Sequence, residues 1–115
     1  MIPERREFPR LRAPVLIEFD HPTTAQREHS FTQDVSESGL RFPTAAELRI
    51  GQELTLDLLV PEQPAIRASG QVVWIRQIAD IGQTQYDVGM RFRWSEQATR
   101  ERLGRFVQNL MSRRM

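Results

Sequence analysis

Two short segments hold the side chains best suited to binding an anionic ligand. The first is RREFPR, which supplies Arg5, Arg6 and Arg10. The planar guanidinium group can donate paired hydrogen bonds to a phosphate or to the O6/N7 edge of guanine, a geometry that lysine cannot match. Taken alone, however, an arginine-rich segment near a chain terminus is usually a solvated arm without a specific role.

The second segment is DVSESG, whose distinctive residues are Asp34, Ser36 and Gly39. In extended backbone, Asp34 and Ser36 would lie on one face, where a carboxylate and a hydroxyl suit the N–H donors of a base edge such as that of guanine. Gly39 would permit a sharp turn or a positive φ, and a close approach of a ligand to the backbone. Alone, this segment is more typical of an Asp/Ser turn between strands.

The elements that must position these segments are predicted to be β-strands. Alternating apolar residues predict about six strands between residues 13 and 94, the first around 15–19 and the second around 30–35, with a polar connection at 21–29. Because no helices alternate with these strands, a small antiparallel barrel or sandwich is favoured. The apolar phase slips at VVWI, which predicts a bulge or bend near Gly70, or burial on both faces.

The two ends of the chain differ in character from this middle part. Residues 1–12 are polar and interrupted by prolines, so they are predicted to form a mobile arm. Residues 95–115 are predicted to form an amphipathic helix with Ser95 as its N-cap. Gly104 lies inside that helix and costs up to about 1 kcal/mol relative to alanine. The apolar stripe of the helix consists of Leu103, Phe106, Val107, Leu110 and Met111.

The composition excludes several classes of function. The 115 residues suit one domain, and the absence of cysteine excludes a disulfide scaffold and a cysteine-based zinc site. No apolar run suggests a membrane span or a signal peptide, so a cytoplasmic location is expected. All 16 basic residues are arginine, which genomic base composition explains as readily as function does, and the net charge of +1 is too balanced for a duplex-DNA binder.

No nucleophile has a plausible base partner, and His21 and His29 fit solvated loops better than a metal site, so catalysis is not expected.

Together, the two segments resemble the signature of the PilZ domain, the bacterial receptor module for cyclic di-GMP. The RxxxR motif of that family precedes its first strand and matches Arg6 and Arg10, and its (D/N)xSxxG motif matches Asp34, Ser36 and Gly39. GQVVW and YDVGMRF, later in the chain, are weaker matches. The resemblance extends over nearly the whole sequence, from the arginine-rich arm to the C-terminal helix.

The resemblance implies a six-stranded antiparallel β-barrel with a C-terminal helix, acting as a receptor without catalytic activity or cofactor. Arg6 and Arg10 would grip phosphates and guanines as the arm folds over the ligand. Asp34 and Ser36 would hydrogen-bond a guanine, and Gly39 would keep the loop close to it.

Three further residues are candidates for the same site. Arg5 would add a phosphate or stacking contact, and in similar domains an arginine there tends to accompany an intercalated ligand dimer rather than a monomer. Arg41 would point outward if its neighbours face the core, although a solvated strand arginine is an equally good interpretation. Trp74 could line the site, but burial inside the barrel is the expectation.

The receptor is expected to signal to an unidentified downstream protein, with the C-terminal helix as a candidate contact. It is expected to be a monomer or a weak homo-oligomer that neither binds DNA nor inserts into a membrane. Two alternatives stay open. One is a barrel that binds single-stranded nucleic acid, which needs exposed aromatic side chains on a strand face. The other is a PilZ-like interaction module without a ligand.

Overall fold

The computed structural model describes residues 12, 14–78 and 82–113, and within these residues the chain forms seven strands and one helix. Neighbouring strands pair antiparallel in the order β2-β1-β5-β6-β7-β4-β3. The elements are β1 (Leu16–Asp20), β2 (Arg27–Phe31), β3 (Asp34–Val35), β4 (Gly39–Thr44), β5 (Glu53–Leu58), β6 (Ile66–Ile78), β7 (Gln85–Phe92) and α1 (Gln97–Arg113).

The two ends of this sheet belong to one continuous segment, so the sheet curls into a barrel. Thr32 still pairs with the β1 side, since Val15 N donates to Thr32 Oγ1 (2.9 Å) and Thr32 N donates to Val15 O (3.0 Å). The next residue, Gln33, donates its N–H to Arg41 O (2.7 Å) in β4. The predicted antiparallel barrel with a C-terminal helix is confirmed. The strand count is seven rather than six because the predicted strand at 30–35 breaks where it changes partners.

Strand β2 begins earlier than the sequence suggested. Residues 27–29 were predicted to belong to a polar connection, and this prediction is wrong, because Arg27 pairs in register with Asp20 at the end of β1. Apart from the exposed Phe31 at its end, the strand is polar on both faces, so it lacks the apolar alternation that identifies the other strands. Cross-strand ion pairs hold it instead: Arg27 contacts Glu18 and Asp20 of β1 at 3.0 and 3.3 Å.

The core lies inside the curled sheet and beneath α1. Phe19 of β1 and Phe42 of β4 are fully buried, and their rings meet edge to face at 5.6 Å. From the helix, Leu103 and Val107 complete this core. The predicted apolar stripe of α1 is therefore confirmed, and burying it against the barrel is what stabilises a helix that would be marginal alone.

The start of α1 differs from the prediction by one residue. The helix begins at Gln97, and the carbonyl of Glu96 accepts the first helical hydrogen bond, from Arg100 N (3.3 Å). Glu96, rather than Ser95, therefore occupies the N-cap position. Among the described residues, no helix is both long enough and apolar enough to cross a membrane.

Candidate functional site

The pairing register places four residues in one row across the outside of the barrel. Asp34 of β3 pairs with Arg41 of β4, Arg41 pairs with Gly89 of β7, and Gly89 pairs with Trp74 of β6. The strand neighbours of Arg41 are buried in the core, so strand alternation directs the Arg41 side chain outward. The outward orientation of Arg41 follows from the sequence pattern; its position between Asp34 and Trp74 does not.

A β-bulge in β6 directs Trp74 toward this row. Val72 pairs with the core residue Met90, but Trp74 pairs with Gly89, so Val73 is an extra residue on β6. Without the bulge, two-residue periodicity from the buried Val72 would turn Trp74 into the core. Trp74 is instead 38% exposed, so the expectation that it is buried in the barrel is wrong. The phase slip at VVWI correctly predicted a bulge, which lies at Val73 rather than at Gly70.

The indole of Trp74 lies directly over Gly89. A Cβ atom at Gly89 would collide with Nε1 and Cε2 of the indole, so a glycine is required for the ring to lie at this place. Gly89 has no positive φ, and its role is therefore to leave space rather than to permit an unusual backbone conformation.

These residues border an open cleft of about 520 Å³, here called the motif cleft. Its walls come from β3, β4, β6, β7 and the loop that joins β3 to β4. The residues that could contact a ligand there are Asp34, Ser38, Gly39, Arg41, Trp74 and Arg91. The cleft therefore combines a carboxylate, two guanidinium groups, a hydroxyl and an exposed aromatic face. This is the set of groups needed to bind an anionic ligand that carries a flat polar ring.

Beside the cleft, four charged residues of alternating sign form a chain, here called the cleft network: Asp34, Arg41, Asp87 and Arg76. Arg41 Nε lies 3.5 Å from Asp34 Oδ2, and Arg41 Nη1 lies 3.9 Å from Asp87 Oδ2. Arg76 Nη2 donates to Asp87 Oδ2 at 3.1 Å. The Asp87 side chain is 1% exposed. Arg41 is thus held between two carboxylates.

Two buried atoms of the cleft network make no hydrogen bond to the described residues. They are Arg41 Nε and Asp87 Oδ1. The Arg41–Asp34 distance allows charge attraction, but the geometry at Nε is not that of a hydrogen bond. Buried polar atoms are nearly always paired, so two unpaired atoms at one place indicate a site with spare hydrogen-bonding capacity.

The DVSESG loop is shaped by its two serines. Ser36 is only 1% exposed, and its N–H donates to Gly39 O at 2.9 Å. Its hydroxyl lies 2.8 Å from Ser38 Oγ and accepts a hydrogen bond from Ser38 N at 3.2 Å. Ser36 therefore supports the turn from within, while Ser38 is exposed and borders the motif cleft.

Gly39 is required for a reason other than the predicted one. Its φ is not positive, but a Cβ at this position would collide with the carbonyl oxygen of Met90 on β7. The glycine lets the start of β4 approach β7 closely beside the motif cleft. Arg5, Arg6 and Arg10 lie outside the described residues.

Comparison with known proteins identifies the family. The PilZ domain family matches residues 4–109 of the sequence. The chain belongs to the PilZ family. The resemblance drawn from its two motifs is thereby confirmed, and no curated protein matches the sequence.

Several solved structures share the fold of this PilZ domain. The PilZ domain of YcgR from Escherichia coli, solved with c-di-GMP, superposes with a TM-score of 0.75 at 18% identity, covering 96% of this chain and 94% of that one. The MrkH–c-di-GMP complex of K. pneumonia superposes with a TM-score of 0.80 at 17% identity. The inhibitor of motility MotI/DgrA of Bacillus subtilis does so at 0.69 and 14%. In both cases 97% of this chain is covered, but only 55% and 54% of the other chain.

This PilZ domain has a second, larger cleft of about 760 Å³ elsewhere on the barrel. Its charged lining includes Glu28, Glu47 and Arg49. Two carboxylates around one guanidinium group disfavour an anionic ligand, and no residue of DVSESG borders this cleft. His21, which borders this cleft, has a structural role, because its Nδ1 accepts hydrogen bonds from the N–H groups of Thr23 and Thr24 at 3.1 and 3.3 Å. The larger volume of this cleft therefore does not make it the better candidate for the ligand-binding site.

The sequence reasoning missed four residues near the motif cleft. It expected Trp74 in the core, and it assigned no role to Ser38, Arg91 or Asp87. The phase slip at VVWI was the available signal for Trp74. For Asp87 the signal was a charged residue within the apolar strand YDVGMRF, but only the structure shows that it pairs with Arg76 and also lies near Arg41.

Proposed function

We propose that this PilZ domain is a non-catalytic receptor that binds cyclic di-GMP in the motif cleft. The observation that carries the proposal is the row Asp34–Arg41–Gly89–Trp74, which places a carboxylate, a guanidinium group and an exposed indole beside the DVSESG loop. The related structures of YcgR and MrkH, both solved with c-di-GMP, support the choice of ligand.

The chemistry of the ligand matches the cleft. Cyclic di-GMP carries two negative charges and two guanine bases, whose N1 and N2 groups donate hydrogen bonds while O6 and N7 accept them. The Asp34 carboxylate would accept from a guanine N–H edge, and the Trp74 indole would stack on a base. Arg41 and Arg91 would neutralise phosphate or bond to O6 and N7.

The arm would supply the remaining positive charge. Arg6 and Arg10, with Arg5 before them, would close over the bound ligand and grip its phosphates. Ser36 would maintain the shape of the loop, and Gly39 would keep it close to β7, as the contacts within the loop support. Arm closure would present an altered surface to a partner protein, and a cytoplasmic setting suits such a receptor.

Single-stranded nucleic acid is a weaker candidate ligand. Stacking successive bases needs several exposed aromatic side chains along one strand face. Phe19, Phe42 and Phe92 are buried in the core, and the large aromatic side chains that are exposed among the described residues, Phe31 and Trp74, lie on the separate strands β2 and β6.

Isothermal titration calorimetry with cyclic di-GMP tests the proposal directly. The wild-type chain should bind saturably, and Asp34→Ala and Arg10→Ala should abolish binding while circular dichroism shows an intact fold. Asp20→Ala and Arg49→Ala are matched controls, because both residues lie away from the motif cleft. If the folded wild-type protein gives no heat of binding, the proposal that it is a cyclic di-GMP receptor is refuted. Salt-sensitive binding of single-stranded homopolymer DNA instead would favour the nucleic-acid barrel.

A further inference from the structure

The loop that borders the motif cleft is also attached to α1, through Glu37. Glu37 occupies a variable position of DVSESG and does not border the cleft. Its backbone carbonyl accepts a hydrogen bond from Trp94 Nε1 at 2.7 Å, and its carboxylate accepts one from Arg100 Nε at 3.2 Å. One residue of the loop is thus held from the region before α1 and from α1 itself.

Gly104 accommodates the Glu37 side chain on the helix. A Cβ at Gly104 would lie 2.6 Å from Glu37 Oε2 and 2.8 Å from Glu37 Cδ. Glycine is the poorest helix former after proline, so a glycine in the middle of α1 calls for a structural reason, such as close packing against a neighbouring side chain. The closely packed Glu37 carboxylate supplies one. Alanine at this position would push aside the end of a flexible side chain rather than the backbone.

Glu37 and the cleft-facing Ser38 are joined by one peptide bond. The Ser38 hydroxyl borders the motif cleft, whereas the Glu37 carbonyl that precedes it is fixed by Trp94. Ser36 and Ser38, on either side of Glu37, are bonded to each other at 2.8 Å. A shift of the loop toward a ligand must therefore move the Glu37 carbonyl and carboxylate relative to α1.

We propose that Glu37 is a positioning residue that couples occupation of the motif cleft to the seating of α1 on the barrel. The inference rests on the proposed function and extends it by naming how binding reaches α1. Because coupling is reciprocal, the attachment of Glu37 to α1 also sets the affinity of the cleft. The group of contacts is Glu37, Trp94, Arg100 and Gly104, here called the Glu37 latch.

The test combines binding with hydrogen exchange on the full chain. Cyclic di-GMP is titrated by calorimetry into the wild type, Glu37→Gln, Gly104→Ala and the double variant. Matched controls are Glu101→Gln, an exposed carboxylate on α1, and Gln108→Ala, an exposed position on the same helix. Hydrogen exchange of residues 97–113 is then measured by mass spectrometry with and without cyclic di-GMP.

Each single latch variant should weaken cyclic di-GMP binding about fivefold or more, a typical size for coupling between sites, while the controls stay near the wild type. The double variant should be no weaker than either single one, because both changes act on the same contact. In the wild type the ligand should change exchange in α1, and that change should be lost in Glu37→Gln while the barrel strands remain protected.

A spectroscopic signal separates coupling from loss of structure. The chain has two tryptophans, so a ¹⁵N-labelled sample gives two indole resonances, and Trp74→Phe assigns them. The Trp94 indole resonance should shift on titration although Trp94 does not border the motif cleft. If the wild type binds the nucleotide but α1 and Trp94 do not respond, the proposed coupling through the Glu37 latch is refuted, while the proposed receptor function is retained. If the wild type does not bind, both proposals fall.

Discussion

Two arginine–carboxylate networks lie on the outside of this barrel, and they differ in how completely their atoms are bonded. The first, here called the outer network, consists of Glu18, Asp20, Arg27, Asp57 and Arg67 on β1, β2, β5 and β6. Its cross-strand pairs lie between 3.0 and 3.3 Å. The carboxylates of the cleft network are more buried, with side-chain exposures of 11% at Asp34 and 1% at Asp87, yet the network leaves Arg41 Nε and Asp87 Oδ1 without hydrogen bonds among the described residues.

The difference indicates where polar atoms of the protein are still available to bind a ligand. In the outer network, the hydrogen bonds that Arg27 donates to Glu18 and, to a smaller extent, to Asp57 raise the pKa of Arg27 above its ordinary value, so its charge persists far beyond neutral pH. Stabilisation from Arg27 is present below the unfolded pKa and is lost only at strongly alkaline pH. A surface network whose cross-strand ion pairs are already formed needs no ligand. The buried, incompletely paired network beside the motif cleft can gain bonds when a ligand arrives.

The largest effect in this comparison is expected from Asp87→Ala. Removing this buried carboxylate leaves Arg41 and Arg76 without their shared partner, and we expect the free energy of unfolding to fall by about 2 kcal/mol. Asp20→Ala, in the exposed outer network, should change it little. Urea denaturation measures both. Equal losses for the two variants would remove the distinction between the networks.

A smaller effect, on binding rather than stability, is expected from Arg41→Gln. The substitution keeps a hydrogen-bonding side chain but removes the charge proposed to face the phosphates, so cyclic di-GMP affinity should fall about tenfold, which is about 1.4 kcal/mol. Arg67→Gln removes an arginine from the outer network and should leave the affinity unchanged. Calorimetric titration compares them, and unchanged affinity in Arg41→Gln would show that Arg41 only balances its two carboxylates.

A still smaller change is expected from Gly89→Ala. The added methyl group collides with the Trp74 indole, so the ring must lift from its place over β7. Cyclic di-GMP affinity should fall about threefold, and tryptophan fluorescence should change before any ligand is added. Thr55→Ala, which removes an exposed hydroxyl paired with Ser69 on the outer-network side, serves as the control. An unaltered emission spectrum would mean that the ring does not depend on the glycine.

The smallest effect is expected from Arg27→Met. Because the ion pairs of Arg27 lie at the surface, the loss of thermal stability should be slight and should shrink further as added salt screens the remaining charges. Thermal unfolding at low and at high salt measures it. A large loss that salt does not diminish would place the outer network among the main stabilising features of the barrel.

Much of the fold could be predicted because its strands bury alternate residues. Leu54, Leu56 and Leu58 predicted β5, and the apolar stripe of α1 predicted the helix. The break at Thr32 could not be predicted, because a strand that changes partners keeps its local pattern. Strand β2 was missed at its start because cross-strand ion pairs, rather than apolar burial, hold Arg27 in place.

The site was predictable only where local motifs define it. Asp34 and Gly39 were identified from DVSESG, although the reason for Gly39 is its contact with Met90 rather than its φ. Trp74 was missed because one inserted residue, Val73, reverses the side that the indole faces. Asp87 depends on register with two other strands, which a single sequence does not contain. The cost of Gly104 was visible in the sequence, but its cause, Glu37, lies 67 residues away.

The hydrogen bonds between Val15 and Thr32 have a consequence for the N-terminal arginines. They fix Val15 beside Thr32, only two residues before Asp34. Arg10 precedes Val15 by five residues, so covalent geometry confines it to within roughly 17 Å of that anchor. A short tether of this kind holds a group at an effective concentration in the millimolar range, on the order of that for linked binding modules. The proposed closure of the arm over a nucleotide in the motif cleft would therefore be an intramolecular event, and the length of the tether would help to determine the affinity.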